Sequence, residues 1–365
     1  MPYPKKMHLM LEDGNRFTGY RFGAERSASG EVVFNTAMTG YPESLTDPSY
    51  AGQILVITYP LVGNYGVPCA AEESSLSLFF ESDRIHIKAL IISDYSFAHS
   101  HWNAAKSLDR WLTEHGVPGI YGVDTREITK IIREHGVLLG HVTPDGEPTP
   151  AAFFDPNREN LVAQVSTTTV KTFGSGRYRV VLVDCGCKYN IIRCLLKRNA
   201  TVTLVPWDYD FTALPYDGVV ISNGPGDPQL CAPTIGHIKK CLATGKPVFG
   251  ICMGNHLLAL AAGATTYKLK YGHRSHNQPA LKVGTNTAVI TSQNHGYAVD
   301  PSHLGAEWEP YFVNLNDGTN EGIRHKSKPF FSVQFHPEAS SGPVDTEFLF
   351  DDFIDAIKKT ASGHP

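Results

Sequence analysis

Lys246-Pro-Val-Phe-Gly-Ile-Cys-Met-Gly-Asn-His-Leu-Leu-Ala-Leu-Ala-Ala-Gly263 reads as a short buried strand (Pro247 to Ile251), a tight turn, and a helix closed by Gly263. Cys252 stands at the turn, between Gly250 and Gly254. Flanking glycines permit a strained strand-to-helix elbow that presents one side chain as a nucleophile. A thiol at a helix N-terminus also meets the positive end of the macrodipole, which favours the thiolate. The plainer alternative is a structural cysteine, since free Cys is among the most buried residue types.

Around this segment strands and helices alternate. Arg179-Val-Val-Leu-Val-Asp184 reads as a buried strand and Lys188 to Asn199 as a helix with Ile191, Ile192, Leu195 and Leu196 inward. Strands at Thr201 to Pro206 and Gly218 to Ser222 follow, then a helix near Thr234 to Ala243. The alternation predicts parallel βαβ units in a doubly wound, mostly parallel sheet. Ligands bind such sheets outside the carboxyl ends of the strands, which is where Cys252 and the Gly224 loop fall.

Phe331-Ser-Val-Gln-Phe-His-Pro-Glu338 offers Cys252 a partner. In an extended segment His336 and Glu338 share one face, and Pro337 biases His336 away from helix. The pair suits a general base oriented by a carboxylate, the remainder of a Cys-His-acid set. His295, in Gln293-Asn-His-Gly-Tyr297, competes for the base role but has no paired carboxylate in sequence.

The chain has 365 residues, 42% hydrophobic and 19% charged, with a net charge of −4. These values are those of an ordinary globular protein of two domains, or one large one, and without a Lys/Arg stripe they argue against nucleic acid as a partner. No stretch approaches a membrane span, and Met1 to His8 has no apolar leader. The odd number of scattered cysteines, seven, argues for a reducing, cytoplasmic setting. Cys185-Gly-Cys187 has no second pair at zinc-ligand spacing, so no metal is expected.

A proline-, serine- and glycine-rich break from Thr143 to about Arg177 separates two halves, with the linker proper at 151–177. Domains are expected over 1–150 and 178–361. The first half carries strand-like runs at Gly30 to Phe34, Ile54 to Tyr59 and Ile87 to Ile92. One helix follows with Leu108, Trp111 and Leu112 on one face; another opens at Asp124-Thr-Arg-Glu127, a capping-box-like signal. A mixed α/β domain is expected there. Lys268 to His276 reads as a solvated basic loop. Ser222-Asn-Gly-Pro-Gly-Asp-Pro228 reads as a turn able to present backbone N–H groups; it lacks the third glycine of a dinucleotide fingerprint, and no phosphate-cradling G-x-x-x-x-G-K-[ST] occurs.

Together these residues resemble the small, glutamine-hydrolysing subunit of carbamoyl-phosphate synthase, over about Leu9 to Ile357. Gly250-Ile-Cys-Met-Gly254, Asn223-Gly-Pro-Gly-Asp-Pro228 and Phe335-His-Pro-Glu338 resemble a class I glutamine amidotransferase domain. Phe34-Asn-Thr-Ala-Met-Thr-Gly-Tyr-Pro-Glu-Ser-Leu-Thr-Asp-Pro-Ser-Tyr50, Tyr59-Pro-Leu-Val-Gly-Asn-Tyr-Gly66 and Gly122-Val-Asp-Thr-Arg126 point to the carbamoyl-phosphate family rather than other amidotransferases. The resemblance implies Cys252 as nucleophile, His336 as base and acid, and Glu338 as its orienting carboxylate. It implies glutamine contacts at Ser49, Gly224, Gly226, Met253, position 256, Asn294, Gly296 and Tyr297. One departure stands in that set: Asn255-His256 occupies positions where many members carry His-Gln, so the His256 imidazole would take over an amide's hydrogen bond. The implied partner is a large synthetase subunit holding ATP and Mg, this chain carrying no cofactor. Ammonia released here would go to carbamoyl phosphate for pyrimidine and arginine biosynthesis.

Overall fold

The computed structural model describes residues 5–148, 150 and 152–362. The start of the leader reading (residues 1–4) and two positions of the proline-rich break (149 and 151) lie outside that range. Two compact units are present, Met1–Arg158 and Glu159–Pro365.

The first unit is built on a closed barrel. Its strands are β1 Lys6–Leu11, β2 Arg16–Gly23, β3 Ala28–Asn35, β4 Gln53–Val62, β5 Ala89–Tyr95, β6 Pro118–Tyr121 and β7 Leu138–Pro144, in the order β1–β2–β6–β5–β4–β3–β7. Antiparallel pairing of β1 with β7, Leu9 opposite Val142, closes it. Val33, Leu55, Ile57, Leu90 and Ile92 pack outward against helix α1 (Leu108–Glu114), which contributes Leu108, Trp111 and Leu112. Helix α2 (Thr125–His135) starts where expected: the Asp124 carboxylate accepts the Glu127 N–H at 2.9 Å, satisfying one of the orphan donors of the first turn.

The second unit carries a ten-stranded sheet. In chain order its strands are β8 Lys171–Phe173, β9 Tyr178–Asp184, β10 Ala200–Pro206, β11 Gly218–Ile221, β12 Val248–Ile251, β13 Thr265–Lys282, β14 Ala288–Asp300, β15 Trp308–Asn314, β16 Asn320–His325 and β17 Phe330–Val333. Across the sheet they run β8–β10–β9–β11–β12–β17–β16–β14–β13–β15. Strands β10, β9, β11, β12 and β17 are parallel, and from β17 onward the pairing is antiparallel. Helices α3 Tyr189–Leu196, α4 Ala232–Ala243, α5 Met253–Ala261 and α6 Phe348–Ala361 complete the unit. Val181, Val183, Val219, Ile221 and Val248 share a core with Ile238 of α4 and with Leu257 and Leu258 of α5. On the opposite face Phe249 meets Phe350 and Phe353 of α6. Apolar residues on both faces of each strand are what a sheet covered on both sides requires.

Three expectations change. Part of the 151–177 stretch belongs to the second unit rather than to a free linker. The Asn160 side chain caps a short helix, Leu161–Val165, and bonds Leu230 O, while β8 joins the sheet edge beside β10. Lys268 to His276 is strand, not loop. Its pairing with β14 buries His273 and Arg274, while Lys268 and Lys270 remain exposed. Gln293 to Tyr297 likewise lies inside β14 rather than in a loop after it. Local composition misreads both because their backbone partners are supplied by the neighbouring strand, which composition cannot show. Among the described residues no helix is long and apolar enough to cross a membrane.

Candidate active site

Cys252 caps α5 directly after β12, with φ +53° and ψ −98°. A non-glycine residue at positive φ stores strain of about 1–3 kcal/mol, held only where surrounding contacts enforce it. Here the Cys252 N–H donates to Val333 O at 2.8 Å, and the next N–H but one, Gly254, donates to Ser222 O at 3.0 Å. A Cβ on Gly250 would lie 2.5 Å from Gly254 O, and one on Gly254 would lie 2.2 Å from Ile221 O. Both glycines are therefore dictated by backbone crowding around the thiol, as an elbow demands. The buried Sγ is 3.8 Å from Asn294 O and 3.7 Å from the Gln334 amide nitrogen. Among the described residues the Met253 N–H, first in the helix, bonds no group of the chain.

Strand β17 ends at Val333, so His336 and Glu338 do not meet as alternate residues of a strand. His336-Pro-Glu338 is a turn, closed by the Ala339 N–H on His336 O at 3.2 Å, and the His336 N–H is anchored on Ser292 O at 2.9 Å. The turn brings His336 Nδ1 to 2.7 Å from Glu338 Oε1. The proximity is as expected, but a turn creates it. With Nδ1–H donated to the carboxylate, Nε2 is the nitrogen left open, and among the described residues it has no hydrogen-bond partner.

Lys188, at the start of α3, places Nζ 2.8 Å from the same Glu338 oxygen, and Asn190 Nδ2 donates to Glu338 O. Burial and the Lys188 charge push the His336 imidazole down. The Glu338 carboxylate and Cys252 outweigh them and hold it up, at about 10. Burial alone would raise the Glu338 carboxyl, but Lys188 and His336 hold it down at about 2. Glu338 is thus an anion held between two cations, His336 and Lys188.

The structure groups the other expected residues unevenly. Met253 and His256 lie on the first turn of α5 beside Cys252, and the His256 N–H reaches Cys252 O at 3.3 Å. Burial drives the His256 imidazole down to about 3, so it stays neutral near pH 7, and among the described residues its Nδ1 has no partner. Gly224 approaches Cys185 so closely that a Cβ would sit 2.0 Å from its carbonyl oxygen; Gly226 has φ +81°. Asn294 touches the thiol through its carbonyl, and Gly296 and Tyr297 continue the same strand, β14. His295 bonds Tyr297 O and the Gln293 side chain through its two ring nitrogens. Ser49 belongs to the first unit, buried on the Pro48–Tyr50 turn with its N–H on Asp47 Oδ1.

Sequence reading missed Lys188 and a buried amide chain. Asn255 Nδ2 donates to Gln334 Oε1 at 2.8 Å, Ser332 Oγ donates to Asn255 Oδ1 at 2.8 Å, and the Gln334 amide faces Cys252 Sγ. Polar Asn255 and Gln334 inside apolar runs were the available signal; a lone Lys at a helix start carries none. Cysteine spacing shows no metal-ligand set, yet the fold brings one ligand atom each of His273, His295 and Glu321 within 4.8 Å of one another.

Residues 181–356 match the class-I glutamine amidotransferase family, and residues 9–142 match the CPSase domain of the carbamoyl-phosphate synthase small chain. The arginine-specific small chain of carbamoyl phosphate synthase from Saccharomyces cerevisiae is 51% identical, over 97% of this chain and 89% of that one. Human carbamoyl-phosphate synthase (ammonia), mitochondrial, is 53% identical over 96% of this chain, which spans 24% of the human protein's length. Among solved structures, a glutamine amidotransferase from Thermotoga maritima aligns with TM-score 0.38 at 19% identity, over 52% of this chain and 86% of that one. The chain belongs to the carbamoyl-phosphate synthase small-chain family, with a class-I glutamine amidotransferase domain following the small-chain domain.

Proposed function

We propose that this member of the small-chain family hydrolyses glutamine through a Cys252 thioester and supplies the ammonia to a large synthetase partner that makes carbamoyl phosphate. The observation carrying this reading is the strained Cys252 elbow beside a buried His336–Glu338 pair at 2.7 Å. The thiolate attacks the side-chain carboxamide carbon. The unused Met253 N–H and the backbone of the Gly224 loop are suited to the oxyanion. Imidazolium His336 passes its Nε2 proton to the departing nitrogen, which leaves as ammonia. As a neutral base, His336 then takes a proton from the water that cleaves the thioester, and glutamate leaves.

Gly224, Gly226, Met253, His256, Asn294, Gly296 and Tyr297 are the proposed glutamine contacts of this domain. ATP and Mg act on the partner in this scheme, and pyrimidine or arginine biosynthesis consumes the product. The human relative's name specifies ammonia; the complete Cys252, His336 and Glu338 set supports glutamine as the nitrogen source here. The test is glutamate release from glutamine, assayed with and without a large synthetase polypeptide. Partner-stimulated, ATP-coupled glutamate formation is expected. Carbamoyl phosphate made from free ammonia alone, with no glutamate released, would overturn the proposal.

A further inference from the structure

Beside the proposed glutamine strand lies a set of buried groups that hydrolysis does not use. His273 of β13 and His295 of β14 stand opposite each other in the ladder, with ring centroids 5.0 Å apart and planes at 89°. Glu321 of β16 is fully buried between them and the β15–β16 turn.

The hydrogen bonds fix which nitrogen each ring turns inward. His273 Nε2 lies 2.9 Å from the Asp317 carboxylate, so that nitrogen carries the proton and Nδ1 presents a lone pair. Among the described residues Nδ1 is buried without a hydrogen-bond partner, 3.6 Å from Glu321 Oε1. His295 Nδ1 lies 2.7 Å from Tyr297 O, so its proton is there and Nε2 presents the lone pair. That Nε2 faces another acceptor, Gln293 Oε1, at 3.0 Å. The Gln293 amide cannot simply turn over. Its nitrogen donates to Thr291 Oγ1, whose own proton goes to Gln278 O. Glu321 Oε1 accepts from Asn314 Nδ2, while Oε2 is buried with no donor.

The interior thus holds two imidazole lone pairs and the Glu321 carboxylate, with one ligand atom of each residue within 4.8 Å of the others. Protonating His273 would neutralise Glu321 but leave the two acceptors at His295 facing each other. A divalent cation would take both lone pairs and a carboxylate oxygen together. The outward bonds match the usual surroundings of metal-bound histidine, in which the distal N–H is held by a carboxylate or a backbone carbonyl.

We propose that His273 Nδ1, His295 Nε2 and Glu321 form a buried zinc-class cation site that ties β13, β14 and β16 together behind the candidate glutamine-binding strand. Two imidazoles and a carboxylate are a donor set suited to zinc or cobalt rather than magnesium or calcium. The ligand atoms lie within 4.8 Å of one another. A tetrahedral centre with bonds of about 2.0–2.2 Å separates its ligands by roughly 3.4 Å, so side-chain shifts of about an ångström close the set.

The test uses the full chain carrying Cys252→Ala, which removes the active-site thiolate as a competing ligand. After chelator dialysis it is titrated with Co2+ alone. One equivalent should bring up the visible absorption of a four-coordinate N/O site, and Zn2+ should displace it. Glu321→Gln and His273→Asn should each lose that absorption and bind at least tenfold more weakly. Replacing Cys185 and Cys187 by Ser should leave it intact. If a ligand variant does not fold, X-ray absorption of the zinc-loaded Cys252→Ala chain decides, since two imidazoles and no sulfur are expected. Absence of one-equivalent binding, undiminished absorption in both ligand variants, or sulfur in the coordination shell would overturn the site.

Discussion

The two ends of the ten-stranded sheet do different work. In the parallel end, β10, β9, β11, β12 and β17, the strands are short and apolar, and reactive groups stand just beyond their carboxyl ends: Cys252 after β12, the Gly224 loop after β11, and His336 after β17. In the antiparallel end, β16, β14, β13 and β15, polar residues lie within the strands, and Thr291 through His295 are buried. Parallel strands spend their side chains on two covering layers and leave chemistry to the turns. Antiparallel strands here hold a polar interior within the strands themselves. The contrast teaches that the proposed nucleophile and base are set by backbone geometry, whereas Asn294, Gly296 and Tyr297, three of the proposed glutamine contacts, lie within β14.

The contrast predicts a graded set of losses. Cys252→Ser should show the largest: a hydroxyl in the same elbow is a far poorer nucleophile, and glutamate release should fall by about three orders of magnitude or more. The near-isosteric change should leave the melting temperature almost unchanged. Near-normal glutamate release from this variant would remove Cys252 from the mechanism. His336→Asn should cost about 10²–10⁴-fold, the range for a positioned acid–base group. His295→Asn should cost less in turnover, because His295 sits among strand residues rather than beyond a parallel strand. A greater kcat loss from His295→Asn would reverse the contrast.

Glu338 and Lys188 should move the pH profile in opposite directions. His336 is held at about 10, so turnover that needs its imidazolium is retained at neutral pH and falls as pH rises through that value. Glu338→Gln removes the anion that favours the imidazolium, and the alkaline limb should move to lower pH. Lys188→Met removes a cation that disfavours it, and the limb should move to higher pH. Parallel shifts in the two pH–rate profiles would show that the pair acts only through packing.

The smallest effect belongs to His256. One neutral hydrogen bond contributes about 0.5–1.5 kcal/mol, so His256→Gln should change the KM for glutamine by about 2- to 10-fold and leave kcat nearly fixed. Because burial holds this imidazole at about 3, glutamine affinity should not titrate with it between pH 6 and 7. The free imidazole range would have suggested otherwise. An affinity change in that window that disappears with His256→Gln would show that the imidazole is solvated.

Much of the site is legible from single segments. Gly250 and Gly254 around Cys252 announce the elbow, since the crowding that excludes a Cβ acts between neighbours in the chain and the adjoining strand end. His336 and Glu338 are two residues apart and meet in either an extended segment or a turn, so their pairing was readable although its cause was not. Asp124 announces the start of α2 for the same local reason. Lys188 gave no sign of itself, because its partner Glu338 lies 150 residues along the chain and a solvated helix start looks identical.

What the linear order of residues decided about this protein is therefore what short-range sterics and periodicity govern: the βαβ alternation, the nucleophile elbow, the helix caps and the adjacency of His336 and Glu338. What only tertiary structure decided are the pairings between distant segments. They close the barrel of the first unit through β1 and β7 and pair Thr265–Lys282 as strand β13 with β14, burying His273, Arg274 and Ser275. They also set Lys188 on Glu338 and gather His273, His295 and Glu321. Each depends on hydrogen bonds and burial whose partners are far apart in the chain; burial then keeps His256 neutral, while neighbouring charges hold His336 and Glu338 ionised against the same desolvation.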